Sequence, residues 1–201
     1  MDCERKHRGK CPFCGAAPAE GAGAVFRNCR KLAENGHINA QYFVGVCYEK
    51  VEGVAQDMIV AVVRWYHRAA DQGDDNAQCG LGVCYSDGKG VARDHAASAR
   101  WYRLAADQGH PDAQCNLGGC YAMGHGVAID LAESVRWCRL AADQGNCNAQ
   151  QNIGICYATG SGVVFDLEQA AQWFKRAALQ GSAEAKAGYL RVLAEIAEAR
   201  A

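Results

Sequence analysis

All four tryptophans of this chain occupy the same place in a sequence unit that recurs every 36 residues: Trp65, Trp101, Trp137 and Trp173. Each tryptophan is followed by a pair of alanines, and each is preceded by an Ala-Gln pair with a glycine four residues after the glutamine. Self-similarity at a period of about 20–50 residues is typical of stacked units that share one continuous core. The period therefore predicts an all-α fold, an α/α superhelix (solenoid) of helical hairpins, and it favours binding over catalysis.

The loop inside each unit is marked by glycines and closed by an aspartate. Paired glycines supply the positive φ values of a tight loop, although Val51 replaces the first of them in the first unit. We predict that the aspartates are N-caps of the second helices, because one aspartate per helix start needs no metal to explain it. The spacing of Asp130 and Glu133 is that of a capping box. The four predicted caps are Asp57, Asp94, Asp130 and Asp166.

The period also sets the boundaries of the domain organisation. Four full repeats are expected at residues 37–73, 74–109, 110–145 and 146–181. Residues 21–36 match a half-repeat helix, and residues 182–201 match a first helix that continues as a C-terminal capping helix. Arrays need such atypical ends because an uncapped end exposes an apolar face. Residues 1–20 form a Cys/His-rich leader outside the period.

Composition limits the classes of partner. The formal net charge of −1 gives no basic footprint for nucleic acid, and no apolar run approaches the roughly 18 residues of a membrane span. The first ten residues are charged and lack the apolar stretch of a secretory signal. We therefore expect a chain that is not secreted, is located in the cytoplasm or nucleus, is monomeric, and binds neither membrane nor nucleic acid.

The units resemble the Sel1-like repeat, a relative of the tetratricopeptide (TPR) repeat. The resemblance rests on the string from Ala113 to Val127 and on the preceding Trp101-Tyr102 with Ala105-Ala106-Asp107-Gln108-Gly109. It implies a TPR-like superhelix and the role of an adaptor that brings other proteins together. Cys138 departs from the pattern, because an aromatic residue usually follows the tryptophan.

The first helices carry the polar residues that are candidates for partner contacts. We expect them to be exposed on the concave face of the superhelix. An alternative interpretation of the recurrent glutamine is a residue at the helix end that hydrogen-bonds the adjacent loop. The candidates are Gln41, Gln78, Gln114, Asn116, Gln150 and Asn152.

The chain has twelve cysteines, and four of them recur just before a tyrosine: Cys47, Cys84, Cys120 and Cys156. Equivalent atoms in adjacent units are expected about 9–10 Å apart, whereas a disulfide needs Cα atoms within about 7 Å. We interpret these four as small buried apolar residues. None of the cysteines has a basic partner in the sequence that marks it as a nucleophile.

The leader contains a second kind of pattern, Cys3, His7, Cys11 and Cys14 within twelve residues. Paired thiolates in Cys-x-x-Cys spacing can take two tetrahedral positions on zinc, and the other two residues can supply the rest. The alternatives are a basic leader with incidental thiols and a thioredoxin-like redox motif. The string Cys-Pro-Phe-Cys resembles the last ligand pair of a RING-type zinc finger, which implies a partial zinc finger here.

These observations predict a non-enzymatic protein–protein interaction scaffold that binds another protein or a peptide. One alternative is a ubiquitin-pathway component that uses the N-terminal zinc module. The other is a secreted cysteine-rich repeat hydrolase, for which the sequence offers no catalytic arrangement outside the repeats. Three histidines at variable positions, His95, His110 and His125, are expected to be plain surface residues.

Overall fold

The computed structural model describes residues 21–49 and 56–200. All regular secondary structure in these two ranges is α-helical, which confirms the predicted all-α class. The chain divides into two compact units, Met1–Asp94 and His95–Ala201. None of the helices in the described ranges is both long enough and apolar enough to cross a membrane.

The helices of the N-terminal unit pack in sequence order, each against the next. Tyr66 on its third helix lies between the second and the fourth, because a Cβ atom added to Gly45 or Gly80 would lie 2.5 or 2.9 Å from its ring. Glycine at both places therefore lets the aromatic ring fill the space between helices. The helices described in this unit are α1 (Gly21–Glu34), α2 (Ile38–Glu49), α3 (Gln56–Ala70) and α4 (Asp75–Asp87).

The C-terminal unit repeats this packing. Phe174 lies between Gly154 and Gly188, where added Cβ atoms would be 2.9 and 3.0 Å from its ring. Cys138 takes the equivalent place one hairpin earlier and faces Gly118, with only 2.4 Å between its Sγ atom and an added Cβ. The helices described in this unit are α5 (His95–Asp107), α6 (Pro111–Met123), α7 (Leu131–Asp143), α8 (Cys147–Thr159), α9 (Leu167–Leu179) and α10 (Ala183–Ala199).

A glycine with positive φ ends each second helix and turns the chain into the next hairpin. After α7, Gly145 has φ 91° and its N–H donates to the carbonyl of Ala142 at 3.0 Å. The following Asn146 N–H donates to Ala141 at 3.0 Å, which completes a Schellman motif. The side chain of Asn146 then caps α8 by accepting from the Ala149 N–H at 2.9 Å. One short segment thus ends one helix and begins another.

In the C-terminal unit, the loops inside two hairpins pack against the hairpin before them. Gly126 has φ 74°, and an added Cβ would lie 2.0 Å from the carbonyl oxygen of His95 at the start of α5. In the next hairpin, Gly162 approaches the carbonyl oxygen of Leu131 in the same way, at 2.3 Å. Glycine at these two places is required by the backbone conformation and by the close approach of two backbones.

Candidate interaction surface

The recurrent glutamines form buried bridges between helix ends. In the C-terminal unit, Gln150 is only 6% exposed, and its Nε2 donates to the carbonyl of Ala142 at the end of α7 at 3.1 Å. Its Oε1 accepts from Gln180 Nε2 at the end of α9, at 2.9 Å. Each bridge therefore joins the first helix of one hairpin to the ends of two second helices. Gln114 makes the same pair of hydrogen bonds, to Ala106 and Gln144.

These bridges correct the expectation that the glutamines are exposed. The four side chains are 4–6% exposed, so their amide groups are used within the array: Gln41, Gln78, Gln114 and Gln150. Burying an amide is unfavourable unless its hydrogen bonds are made, and here they are made to helix-end carbonyls. The structure is closer to the alternative interpretation, a hydrogen bond to the adjacent loop, but the carbonyls of Ala106 and Ala142 lie at helix ends and not in the loop.

The two asparagine candidates, Asn116 on α6 and Asn152 on α8, are half-buried. Asn152 also donates to the Cys115 sulfur at 3.8 Å, which links α8 to α6. On each of these helices the neighbouring open positions follow at intervals of three or four residues, so they share one face. We call this the first-helix face: Asn116, Gly119 and Met123 on α6, with Asn152, Ile155 and Thr159 on α8.

None of these six residues is charged, and two of them are exposed apolar side chains; Asp112, one turn before Asn116 on α6, accepts from Asn146 at 2.6 Å. Met123 is 60% exposed and Ile155 is 42% exposed. Isolated exposed apolar residues are ordinary, but these two lie on adjacent first helices of one face. The face can therefore offer apolar contacts together with asparagine amides for hydrogen bonds to a partner's backbone.

The aspartates that close the loops lie at the starts of the second helices. Asp130 accepts from the Glu133 N–H at 3.0 Å, and Asp166 accepts from the Gln169 N–H at 2.9 Å. Asp94 directly precedes α5, whereas Asp57 is the second residue of α3 and not the residue before it. Asp57 is therefore two positions beyond the residue that directly precedes this helix, so the predicted cap is not formed at that residue.

The predicted capping box is formed only in part. Instead of returning to the start of the helix, the Glu133 carboxylate accepts from Arg136, with Nη2 and Oε2 2.8 Å apart. Hydrogen bonding from Arg136 lowers the pKa of Glu133. Arg136 in turn lies over the Trp137 ring, 4.2 Å from its centroid. The second half of the box is therefore replaced by an ion pair that covers a tryptophan.

Arginines bridge neighbouring hairpins in a pattern that the sequence reasoning missed. The Arg103 guanidinium lies 5.6 Å from the ring centroids of both Tyr121 and Trp137, and it donates to the Tyr121 hydroxyl. Arg139 repeats this contact one hairpin later, with 2.6 Å between Nη2 and the Tyr157 hydroxyl. The sequence did contain a sign of this contact, because both arginines occupy the same position in the repeat, two residues after a tryptophan.

The cysteines whose side chains the structure describes are unbridged thiols, and Cys47 lies outside that set. Of the recurrent set, Cys84 and Cys120 are buried and Cys156 is only partly buried. The buried thiols of Cys138 and Cys115, which share no repeat position, also interact with each other. The interaction with Cys115, together with burial, raises the pKa of Cys138. A thiol held protonated in this way is a poor nucleophile.

The histidines are more structured than expected for plain surface residues. His110 caps α6, because its Nδ1 accepts from the Ala113 N–H at 3.3 Å. The rings of His95 and His125 stack with centroids 4.6 Å apart, where the loop of one hairpin meets the start of α5. Sequence reasoning missed these roles because histidine is uncommon as a cap and because the stacked pair is distant in sequence.

The predicted metal ligands Cys3, His7, Cys11 and Cys14 lie outside the described residues, so the zinc site stays a prediction. Among the residues whose side chains the structure describes, no group of three or more His, Cys, Asp or Glu is arranged to hold a metal ion.

The model of the Sel1 repeat family matches four segments of the chain, residues 38–74, 75–110, 111–146 and 147–182. A comparison with curated proteins finds no match. The resemblance of the leader to the end of a RING-type finger finds no support in these comparisons.

Solved structures show the same fold. A protective antigen of uropathogenic Escherichia coli strains with an SLR fold is 40% identical with a TM-score of 0.75, over 80% of this chain and 34% of that one. The chain therefore spans about a third of that antigen. A Sel1 repeat protein from Oxalobacter formigenes is 32% identical with a TM-score of 0.77, over 85% and 67% of the two chains. Cysteine-rich protein B from Helicobacter pylori, 19% identical with a TM-score of 0.53 over 68% and 98%, shares the fold. With four matched repeats and these neighbours, the chain belongs to the Sel1 repeat family and folds as a solenoid of helical hairpins.

Proposed function

We propose that this chain is a non-enzymatic scaffold that holds another protein or a peptide on its first-helix face. Sel1 repeat proteins are generally protein-interaction scaffolds, which supports this role. The observation that carries the proposal is the uncharged first-helix face, on which Met123 and Ile155 remain exposed. In a solenoid, this is the side that we expect to be concave.

The hydrogen bonds of the buried glutamines indicate that the first-helix face is rigid before a partner binds. Gln114 and Gln150 fix the ends of their hairpins from inside, so the scaffold does not depend on the exposed side chains. A rigid surface loses little conformational entropy when it binds, which favours affinity. Because the face is uncharged, we expect the bound segment to present apolar side chains and unpaired backbone groups.

Affinity capture with the intact chain, followed by mass spectrometry, identifies the partner. The capture is then repeated with the double variant Met123→Lys/Ile155→Lys, which places two charges on the first-helix face. Each charge would be desolvated against an apolar segment, so we expect the partner to be lost. Both parent residues are exposed, so the variant should keep its helical circular dichroism and its unfolding midpoint.

The matched control is Val164→Lys, which introduces the same side chain at a loop residue that is 86% exposed. The control should retain the captured partner. Equal capture by the double variant and by the control would refute the first-helix face as the binding surface.

A further inference from the structure

The second helices of the C-terminal unit, α5, α7 and α9, carry lysine and arginine side chains near their midpoints. The first helices α6 and α8 contain no lysine or arginine. Two of these cations come from each of α5, α7 and α9. We call the set the basic band: Arg100, Arg103, Arg136, Arg139, Lys175 and Arg176.

Three members of the basic band keep their charge available to solvent. Arg100, Lys175 and Arg176 are exposed, and none has an ion-pair partner among the residues that the structure describes. Arg136 is different, since Glu133 pairs with it at 2.8 Å. Half of the band therefore carries charge that no ion pair among the described residues neutralises.

The remaining two members set the spacing of the band. Arg103 lies against Trp137 of the next second helix, and Arg139 lies against Trp173 of the one after that. Packed helices lie about 8–10 Å apart, so equivalent cations on successive helices recur at about this distance. An extended polypeptide advances about 3.3 Å per residue, so three residues span the same distance.

Apolar and acidic residues complete the surface. Leu104 and Leu140 are 48% and 41% exposed, and each follows a band arginine directly in sequence. Asp107 and Asp143, both exposed, stand at the ends of α5 and α7 and bound the band on one side. Any ligand must therefore place its negative charges on the band and keep them away from the helix ends.

We propose that the basic band binds an extended acidic polypeptide segment whose carboxylates recur about every third residue. The side chains between the carboxylates contact Leu104 and Leu140. Nucleic acid fits less well, because its phosphates form a continuous line of charge that the flanking aspartates repel. This surface is separate from the first-helix face, so either proposal can fail without the other.

The probe is a fluorescein-labelled synthetic peptide with glutamate at every third residue and leucine and serine between. Its binding to the full chain is followed by fluorescence anisotropy at low salt. The control peptide has glutamine in place of each glutamate. We expect the acidic peptide to bind, its affinity to fall as salt is raised, and the glutamine peptide not to bind.

Two double variants of equal charge change locate the site. Arg100→Gln/Lys175→Gln removes two band charges, and we expect roughly a three- to tenfold loss of peptide affinity, as for two exposed charge pairs. Lys186→Gln/Arg191→Gln removes two charges from α10, outside the band, and should change the affinity less than twofold. A labelled single-stranded oligonucleotide should bind more weakly than the acidic peptide.

Three results would overturn the proposal: no binding of the acidic peptide at low salt, equal losses in the two double variants, or tighter binding of the oligonucleotide. Retained capture of the first-helix partner by the band variant shows that the two surfaces act independently.

Discussion

Replacing Gly126 by alanine tests whether the loop of one hairpin is built against the hairpin before it. An added Cβ would lie 2.0 Å from the His95 carbonyl oxygen and 2.6 Å from the Ala96 nitrogen. Both are backbone atoms at the start of a helix, so no flexible side chain can move aside. Either the loop or the start of α5 must shift.

The magnitude follows from two separate costs. A left-handed conformation at a non-glycine residue costs roughly 1–2 kcal/mol, and overpacking costs roughly 1–3 kcal/mol. Gly126→Ala should therefore lower the free energy of unfolding by about 2–5 kcal/mol. Gly145→Ala is the matched control, because its φ is 91° but nothing lies within 4 Å of an added Cβ. Gly145→Ala should therefore cost only the free energy of the left-handed conformation, about 1–2 kcal/mol.

A third variant gives the opposite sign. Gly119 lies inside α6, and an added Cβ would meet only the Met123 Cε at 3.8 Å. Gly119→Ala should therefore raise the free energy of unfolding by roughly 0.5–1 kcal/mol, because alanine loses less backbone entropy in a helix.

Thermal and urea unfolding followed by circular dichroism measure all three variants. One kcal/mol shifts Tm by about 2–4 °C in a chain of this size, so Gly126→Ala should lower Tm clearly more than Gly145→Ala. Midpoints are compared because repeat arrays do not always unfold in one step. Equal losses for Gly126→Ala and Gly145→Ala would refute the close approach of this loop to α5.

Four further outcomes are expected. Asp166→Ala removes the cap of α9 and should cost about 1 kcal/mol in urea unfolding; an unchanged midpoint would reject the cap. Gln150→Leu removes the buried donor to the Ala142 carbonyl and should cost roughly 1–3 kcal/mol, whereas a neutral result would mean that water replaces the amide. Because the pKa of Cys138 is raised in the folded state, its thiol ionises first in the unfolded chain. The free energy of unfolding should therefore fall as pH rises above roughly 8.5, and Cys138→Ala should make that fall shallower; an equally steep fall would contradict it. If the leader holds zinc, the purified chain should contain about one equivalent that is lost in Cys11→Ser, and metal-free protein would reject the site.

The helical hairpins were predictable because their signals are local. A cap such as Asp166 acts on residues three positions away, and a helix-ending glycine such as Gly145 acts within one turn. The period of the tryptophans then gives the number of hairpins without any knowledge of contacts. The exception is Asp57, because α3 begins at Gln56, one residue before the aspartate that was predicted to cap it.

The roles of the bridging residues were not predictable in the same way. The partner of Gln150 is Gln180, thirty residues later, and the two meet only when α8 and α9 pack against each other as a hairpin. Position in the period identified the glutamine as important but gave no sign of its burial. The contact of Arg103 with Trp137 is likewise between hairpins, so it depends on how successive units stack.

We expect partner recognition to depend on exposed positions of the repeat at which the residue differs from one repeat to the next. Residues that recur in every repeat have structural roles: Gln150 hydrogen-bonds a helix end, and Asp166 caps a helix. The position of Met123, in contrast, is aspartate in the preceding unit and threonine in the following one. Such positions can vary without loss of packing because they are exposed, so each unit can offer a different contact. A partner that recognises this chain should therefore recognise the order of these side chains and not the repeat itself.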